Sequence, residues 1–402
     1  MIFGRYEPLD MIILASGDHV PSFCYQYIYL NGRLDMDRLA RAVDQVAAIV
    51  PETLYRLDAR RVRFKDAGFT ARDAISETEG VLDCGIMWDL KRGTQVKISV
   101  GHGPDADSMI VSVSHVLMDG KGMIQYVSLL ADAYNGVLPR LRNNRSLDTV
   151  FETLTFGPPT DAEKRCADTP SMGLPLKSTG QELFCRKVTF PVSTMYSLHA
   201  QARAASVTLN DVFFTACARV ACQVLHRSDV ALRCAVDIRP FVDPGPVSVA
   251  NMTGLYRMSI NVSPDDPFLA TVQQVHEEVL LQKERRRYFV DFPSLAKACK
   301  RYPVGMLKRY MKGTYNVRPV EYSNCGVLPE LDFGGVGVES AFFTGACSPY
   351  PEFPFSISSY AGATTFAVTL IGDEARADAA EVVLRSITSE MTDWVAGGTD
   401  EA

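Results

Sequence analysis

Two short runs of alternating apolar residues constrain the fold of this chain more than any other feature. Alternation with a period of two is typical of a strand with one buried face. The segment 101–107 between the runs contains Gly, Pro and Asp, which favour a turn. The pattern therefore predicts a β-hairpin that covers a hydrophobic core. The apolar residues that share one side of each run are Val96, Ile98 and Val100, then Met109, Val111 and Val113.

His115 follows the second run with the same parity, so its side chain is predicted to leave the strand end on the buried side. Gly120 and Gly122 then loosen the backbone before a predicted helix that runs to about Tyr134, where Asn135-Gly136 ends it. Imidazole exchanges protons near neutral pH, so a buried histidine can accept one from a hydroxyl, amine or thiol. His115 is therefore a candidate general base.

Two other roles for His115 are open. A histidine in this position can be a structural residue bonded to a backbone carbonyl. The spacing of four residues also allows His115 and Asp119 to share a metal ion. Further ligands do not cluster with them, because His102 lies in the predicted turn and the other histidines considered fall on helical patterns. We therefore predict no metal site.

The rest of the chain indicates two halves of mixed α and β structure. Near the start, a strand at 24–30 precedes a helix from Met36 to about Val50, with Asp35 as its N-cap. Residues 137–184 are rich in turn formers and poor in periodicity, which is typical of a crossover. We predict an N-terminal lobe at 1–184 and a C-terminal lobe at 185–402.

The predicted elements of the second half repeat the style of the first. A helix is expected to begin after Thr208, with Asp211 three residues on as a capping partner. Another helix is expected to open at Pro267. The remaining predictions are strands near 187–192, 230–236 and 255–262, a hairpin formed by 355–359 and 366–370, and a closing helix over about 375–394.

Composition excludes several classes of protein. The formal net charge is −6, which disfavours nucleic acid as a partner. Neither a targeting segment nor an apolar run long enough to span a bilayer is predicted. The ten cysteines are scattered singly, without a Cys-x-x-Cys pair, which is typical of reduced thiols in a cytoplasmic protein. Cys325 and Cys347 lack a nearby histidine in sequence and are not predicted to be nucleophiles.

The stretch His115-Val116-Leu117-Met118-Asp119-Gly120, placed after a strand, resembles the His-x-x-x-Asp-Gly signature of the chloramphenicol acetyltransferase-like superfamily. That superfamily includes the condensation domains of peptide synthetases, the BAHD acyltransferases of plants and the polyketide-associated acyltransferases. Asp237-Ile238-Arg239-Pro240, followed by Asn251 and Gly254, resembles a second stretch of the family. Asp332-Phe333-Gly334-Gly335 partly matches a BAHD motif, and here we interpret it as a structural turn.

The resemblance implies an α+β fold of two acetyltransferase-like lobes, each a mixed sheet with helices, and an active-site tunnel between them. It implies an acyltransferase in which His115 deprotonates the acceptor, which then attacks the thioester directly without an acyl-enzyme. The donor would be acyl-CoA or an acyl-phosphopantetheine on a carrier protein, and the acceptor a small hydroxyl or amine compound, with no bound cofactor. Asp119 and Gly120 would orient the site, and Arg239 is the candidate partner of Asp119.

Other functions remain possible within the same fold. A catalytically silent or epimerase-like member would use the tunnel only to hold a ligand, and a condensation enzyme would require a carrier protein. Condensation domains usually carry a second histidine before the catalytic one, and this chain has Ser114 there, which makes peptide-bond synthesis less expected. Gly335 stands where BAHD enzymes have tryptophan.

The stretch 283–318 is strongly basic in an acidic protein. It contains eleven basic residues and only two acidic ones, Glu284 and Asp291. Such a stretch can bind the phosphates of coenzyme A or an acidic acyl carrier protein. It can equally be a pair of solvated helices, and the sequence leaves both interpretations open.

Overall fold

Two β-sheets with packed helices organise the chain into two lobes. The computed structural model describes residues 6–16, 23–138, 141–147, 154–168, 178, 180–242, 245–263, 265–314, 320–346 and 353–397. The helices within them are α1 (Pro8–Ser16), α2 (Met36–Ala47), α3 (Ala71–Ala74), α4 (Gly120–Tyr134), α5 (Asp161–Asp168), α6 (Val192–Ala204), α7 (Leu209–Leu225), α8 (Arg239–Val242), α9 (Phe268–Glu284), α10 (Phe292–Arg301), α11 (Val304–Thr314) and α12 (Glu374–Gly397).

The strands follow the same chain order, and most belong to one of the two large sheets. They are β1 (Phe23–Leu30), β2 (Arg56–Asp58), β3 (Arg63–Lys65), β4 (Ile75–Glu79), β5 (Val96–His102), β6 (Asp107–Ser114), β7 (Glu182–Phe190), β8 (Asp229–Asp237), β9 (Thr253–Asn261), β10 (Val320–Val327), β11 (Val338–Thr344), β12 (Pro354–Tyr360) and β13 (Ala363–Gly372).

The first sheet has the strand order β11-β1-β6-β5-β4 and contains the hairpin predicted from alternation. Strands β5 and β6 pair antiparallel, with Val96 opposite Val113 and Ile98 opposite Val111. The alternating apolar side chains of both strands therefore share one face, and they are almost fully buried. The prediction of a hairpin over a core is confirmed.

The second sheet has the order β7-β13-β12-β10-β8-β9. It contains the second predicted hairpin, in which β12 and β13 pair antiparallel up to Tyr360 and Ala363. Ala361 and Gly362 both have positive φ, as a two-residue hairpin turn requires. Parallel pairing of β10 with both β12 and β8 makes this sheet mixed.

One strand crosses between the halves of the chain. β11 lies well beyond residue 185, yet it pairs antiparallel with β1 in the first sheet, with Tyr27 opposite Phe342. The rings of these two residues stack, with centroids 4.4 Å apart. The first sheet therefore draws one edge strand from the second half of the sequence.

Side-chain caps explain why two predicted helices begin where they do. Asp35 accepts a hydrogen bond from the backbone of Arg38 and starts α2, and Thr208 and Asp211 form a reciprocal capping box at α7. Helix α2 ends at Ala47, earlier than the predicted Val50, and a 3-10 turn opens at Pro51. Val50, the residue before Pro51, has φ −125° and ψ 72°, outside the helical region, as expected for a residue that precedes proline.

Several helices lie where none was predicted, and α5 and α6 are the two that lie between the predicted lobes or at the start of the second. Helix α5 falls inside the predicted crossover and begins with a capping pair, in which Thr160 and Glu163 bond each other's backbone amides. Helix α6 lies directly after β7, and its buried residues Met195, Leu198 and Ala202 have helical spacing. Among the described residues, no helix is long and apolar enough to cross a membrane.

Candidate active site

His115 lies directly after β6, at the beginning of the turn that leads into α4, and its side chain is half-buried. Ring atom Nδ1 lies 3.2 Å from Oδ1 of Asn251, which belongs to the other lobe. Nε2 has no hydrogen-bond partner among the described residues. One ring nitrogen thus has a hydrogen-bond partner, and the other has none within the described structure.

The contacts of Asn251 settle which ring nitrogen carries the proton. Its Nδ2 lies 2.8 Å from Oδ1 of Asp10, 2.9 Å from the carbonyl oxygen of His115 and 3.1 Å from that of Val116. All three are acceptors, so this side of the amide must be the donor. The opposite atom, Oδ1, must then accept a hydrogen bond from His115 Nδ1. The neutral ring therefore carries its proton on Nδ1 and a lone pair on Nε2.

Asp119 is a buried carboxylate that holds the turn after His115. It caps α4 by accepting a bond from the backbone of Gly122 at 2.8 Å. It also accepts bonds from the backbone of Met252 at 2.6 Å and the hydroxyl of Thr253 at 2.8 Å. Burial by itself would raise the pKa of Asp119, but the Arg239 guanidinium and these hydrogen bonds lower it below 3.8.

Arg239 binds Asp119 in a bidentate ion pair between the lobes. Its Nη2 donates to Oδ1 at 2.9 Å and its Nη1 to Oδ2 at 3.2 Å. The same guanidinium donates to the carbonyl oxygens of Ser248 and Ala250 and to the carboxylate of Asp237. The structure thus brings together the two residues that the sequence analysis had paired.

Residues 245–252, here called the inter-lobe loop, carry most of these contacts. The backbone amide of Asp119 donates to the carbonyl of Ala250 at 3.2 Å. Asn143 forms two hydrogen bonds with the backbone of Val249, at 2.8 and 3.0 Å. The loop that supplies Asn251 is therefore anchored to the first lobe at Asp119 and at Asn143.

Gly120 lies where a side chain would have no room. A Cβ atom there would approach the ring of Phe343 to 2.8 Å and the sulfur of Cys325 to 3.0 Å. Burial raises the pKa of Cys325 to about 12, so its thiol is protonated at neutral pH and is a poor nucleophile. Cys347, the other cysteine considered from sequence, lies outside the described residues.

No protein-family model and no curated protein sequence matches the chain significantly. Solved structures match over nearly its whole length. Polyketide synthase associated protein 5 from Mycobacterium tuberculosis is 15% identical with a TM-score of 0.69, covering 97% of this chain and 98% of that one. The first condensation domain of the CDA synthetase is 14% identical with a TM-score of 0.65, covering 98% and 96%.

A third similar structure is TRI101 from F. graminearum, complexed with coenzyme A and T-2 mycotoxin. It is 14% identical with a TM-score of 0.67, and the match covers 94% of this chain and 96% of that one. The chain has the chloramphenicol acetyltransferase-like fold. The fold class and the two-lobed architecture predicted from the sequence are confirmed.

Within this acetyltransferase-like fold, the basic stretch divides into a structural and an exposed part. Arg287 is buried and donates two bonds to the carboxylate of Glu163, at 2.8 and 3.0 Å, so it anchors α5. Arg318 lies outside the described residues. On α10 and α11, the exposed cations without an ion pair among the described residues are Lys297, Lys300, Arg301 and Arg309, and we call these four residues the basic patch.

Three residues around the site had no role assigned from sequence: Asp10, Arg145 and Asn251. Asn251 was part of a matching stretch, but nothing in the sequence placed it beside His115. Asp10 offered a local signal, because it is an acidic residue within the apolar run of α1. A charge in such a position is buried only with a partner. Across the described residues, no group of three or more His, Cys, Asp or Glu side chains could hold a metal ion.

Proposed function

We propose that the protein is an acyltransferase that moves an acyl group from a thioester to a hydroxyl or amine, with His115 as the general base. The observation that carries the proposal is the state of the His115 ring. Its Nδ1 is held by Asn251 at 3.2 Å, and its Nε2 has no partner in the described structure. A half-buried imidazole with one available lone pair is equipped to accept a proton from an acceptor substrate.

In the proposed reaction, His115 Nε2 takes the proton of the acceptor as the acceptor's oxygen or nitrogen attacks the thioester carbonyl carbon. The tetrahedral intermediate collapses when its carbon–sulfur bond breaks. The leaving thiolate then takes the proton from Nε2, which restores the neutral ring. The products are an ester or amide and a free thiol, and no acyl-enzyme forms. Nδ1 keeps its proton throughout and donates it in a hydrogen bond to Oδ1 of Asn251.

The other residues act by holding this arrangement. A general base contributes on the order of 10²–10⁴-fold to the rate, and holding donor and acceptor together supplies more. The ion pair of Asp119 with Arg239 fixes the turn that follows His115 to the second lobe. Gly120 keeps the beginning of α4 free of bulk near Phe343 and Cys325. We assign Asp119, Gly120 and Arg239 orienting roles.

For the donor, we propose a phosphopantetheine thioester, as acyl-CoA or on a carrier protein. The coenzyme A named in the TRI101 structure supports this class of donor. The basic patch on α10 and α11 offers positive charge for phosphates or an acidic carrier protein.

We also propose that the protein is cytoplasmic. Nine cysteines fall within the described residues and none of them forms a disulfide, which supports this location.

Charge reversal tests whether the basic patch binds the donor. Reversing charge with Lys300→Glu and Arg301→Glu is expected to raise KM for the donor severalfold with little change in kcat, since the patch binds rather than reacts. Arg72→Glu, at an exposed cation in α3, is the matched control.

A separate test distinguishes the two donors. Turnover with acyl-CoA alone identifies coenzyme A as sufficient. Turnover only with an acylated carrier protein supports the condensation-type alternative.

The proposed activity is tested by mass spectrometry of products after incubation with mixed acyl-CoAs and candidate alcohols and amines. Release of free thiol reports the same reaction independently of the acceptor. An ester or amide product, together with an equal amount of thiol, supports the proposal. Absence of any product with both acyl-CoA and acyl-carrier donors, while a ligand still binds, would favour the catalytically silent alternative.

A further inference from the structure

A buried acidic residue in the first helix contacts the support of the proposed base. Asp10 lies in α1 and is fully buried. Its Oδ2 accepts bonds from the backbone of Glu7 at 2.9 Å and from Arg145 Nη2 at 2.5 Å. Its Oδ1 accepts a bond from Asn251 Nδ2 at 2.8 Å. The first helix therefore reaches His115 through one intervening side chain.

Arg145 gives this contact a second attachment to the site. Besides its ion pair with Asp10, it donates from Nη1 to the carbonyl of Leu117 at 3.1 Å. Leu117 lies in the turn between His115 and Asp119. The guanidinium of Arg145 also lies over the ring of Phe64, with 5.1 Å from its carbon to the ring centroid. The buried pair thus holds both the turn that follows the base and the amide that contacts it.

We propose that Asp10, held by Arg145, is a positioning residue that fixes the amide of Asn251 and thereby keeps the base-competent tautomer of His115. If the amide turned over, its Oδ1 would face the carboxylate of Asp10 and two backbone carbonyls, all of which are acceptors. Its NH₂ group would then face the ring and donate to Nδ1. The ring proton would move to Nε2, and Nε2 would no longer be a base.

A carboxylate suits position 10 because two donors approach different oxygens. Arg145 uses Oδ2 and Asn251 uses Oδ1. An asparagine there has a single acceptor oxygen, and the backbone of Glu7 and the Arg145 guanidinium both donate on the Oδ2 side, so the oxygen is expected to face them. The NH₂ group of Asp10→Asn would then face the amide of Asn251 and favour its turning over. The effect on catalysis rests on the proposed function, whereas the effect on the tautomer does not.

The tautomer is measured directly by ¹⁵N NMR of the imidazole nitrogens in the full chain, with the His115 signals assigned through His115→Gln. In the wild type, Nδ1 is expected to be protonated and Nε2 bare. Asp10→Asn and Asn251→Ala are expected to shift the proton toward Nε2. Asn251→Ala changes no charge, so it serves if Asp10→Asn does not fold. Asn135→Ala is the matched control, because it removes two side-chain hydrogen bonds, to Asp332 and Gly334, that touch neither the inter-lobe loop nor His115.

Activity gives the second readout. A wrong tautomer costs up to about 10⁴-fold in kcat in a comparable histidine base, so we expect kcat to fall at least tenfold in Asp10→Asn with KM for the acceptor little changed. A His115 proton on Nε2 in the wild type, or an unchanged tautomer in both variants, would overturn the proposal. If the tautomer shifts as expected but the wild type transfers no acyl group, the positioning role stands and the proposed function fails.

Discussion

Five hydrogen bonds converge on the carboxylate of Asp119, and two of them come from the Arg239 guanidinium. Removing one partner of a buried ion pair typically costs 3–5 kcal/mol, since the other charge is left buried and unpaired. We expect Asp119→Asn to lower the free energy of unfolding by about that amount. Activity should fall by roughly 10²-fold as well, because the turn after His115 is no longer held in position against the second lobe.

Urea unfolding and initial rates on the same samples check this pair of effects. Asp237→Asn is the control. It changes a carboxylate that contacts the same Arg239 guanidinium, and it leaves the ion pair of Arg239 with Asp119 intact. A variant as stable as the wild type yet inactive would contradict the orienting role, and would place Asp119 in the chemistry itself.

The ion pair also predicts how stability depends on pH. The pKa of Asp119 is lower in the folded chain than its ordinary value of 3.8. Its contribution is therefore complete above that value and is lost as the pH falls through the folded-state pKa. The difference in unfolding free energy between wild type and Asp119→Asn should be constant from pH 8 to about 5 and shrink below about pH 4. A difference that grows on acidification would contradict this account.

At this scale the sequence indicated some of the site and missed the rest for a physical reason. His115 and Asp119 share one short motif, and Arg239 was indicated by the resemblance to a known superfamily. Asn251 and Asp10 reach His115 from 136 and 105 positions away, through the packing of two lobes. Local patterns carry no information about such contacts, so only the folded chain reveals them.

At the scale of elements, the beginning of α4 lies against the inter-lobe loop with no space to spare. A Cβ atom on Gly122 would lie 2.8 Å from the carbonyl oxygen of Ala250 and 3.0 Å from its nitrogen. Both are backbone atoms, so the loop itself would have to move. Gly122→Ala should lower the free energy of unfolding by about 1–3 kcal/mol and reduce activity, because Asn251 follows Ala250.

Gly305→Ala in α11 is the matched control, since nothing lies within 4 Å of its Cβ position. Replacing an unhindered helical glycine by alanine stabilises a helix by up to about 1 kcal/mol. The two substitutions are therefore expected to change stability in opposite directions. Thermal unfolding of both variants checks the sign of each change in stability. Stabilisation by Gly122→Ala would contradict the close approach of Gly122 to the backbone of Ala250.

The elements that the sequence predicted best are those with a local signal at each end. The hairpin of β5 and β6 has alternation and turn formers, and α7 has its capping pair. Helix α5 also carries a capping pair, Thr160 with Glu163, but Pro158 and Pro159 just before it favoured an interpretation as loop. Its stability comes partly from the distant ion pair of Glu163 with Arg287.

For the whole molecule, the crossing of β11 makes the first sheet depend on the second half of the chain. Without β11, strand β1 would become an edge strand with its apolar residues and backbone groups exposed on one side. A fragment of residues 1–184 is therefore expected not to fold cooperatively by itself. Circular dichroism and urea unfolding of the fragment test this, with coexpressed 185–402 as the control. A sharp unfolding transition of 1–184 alone would contradict it.

That crossing was not predictable from local patterns. Strand β11 pairs with β1 across more than 300 positions, and nothing in 338–344 distinguishes the two sheets it could join. The resemblance to a known superfamily supplied the two-lobed architecture, whereas alternation and capping supplied only its parts.

The central claim is that Nε2 of His115 takes a proton from the acceptor. The most direct test is the rate of acyl transfer by His115→Ala, measured beside the wild type with its thermal unfolding and donor binding. We expect transfer to fall by about 10²–10⁴-fold while folding and donor binding persist. A folded His115→Ala variant that retains full transfer activity would contradict the account.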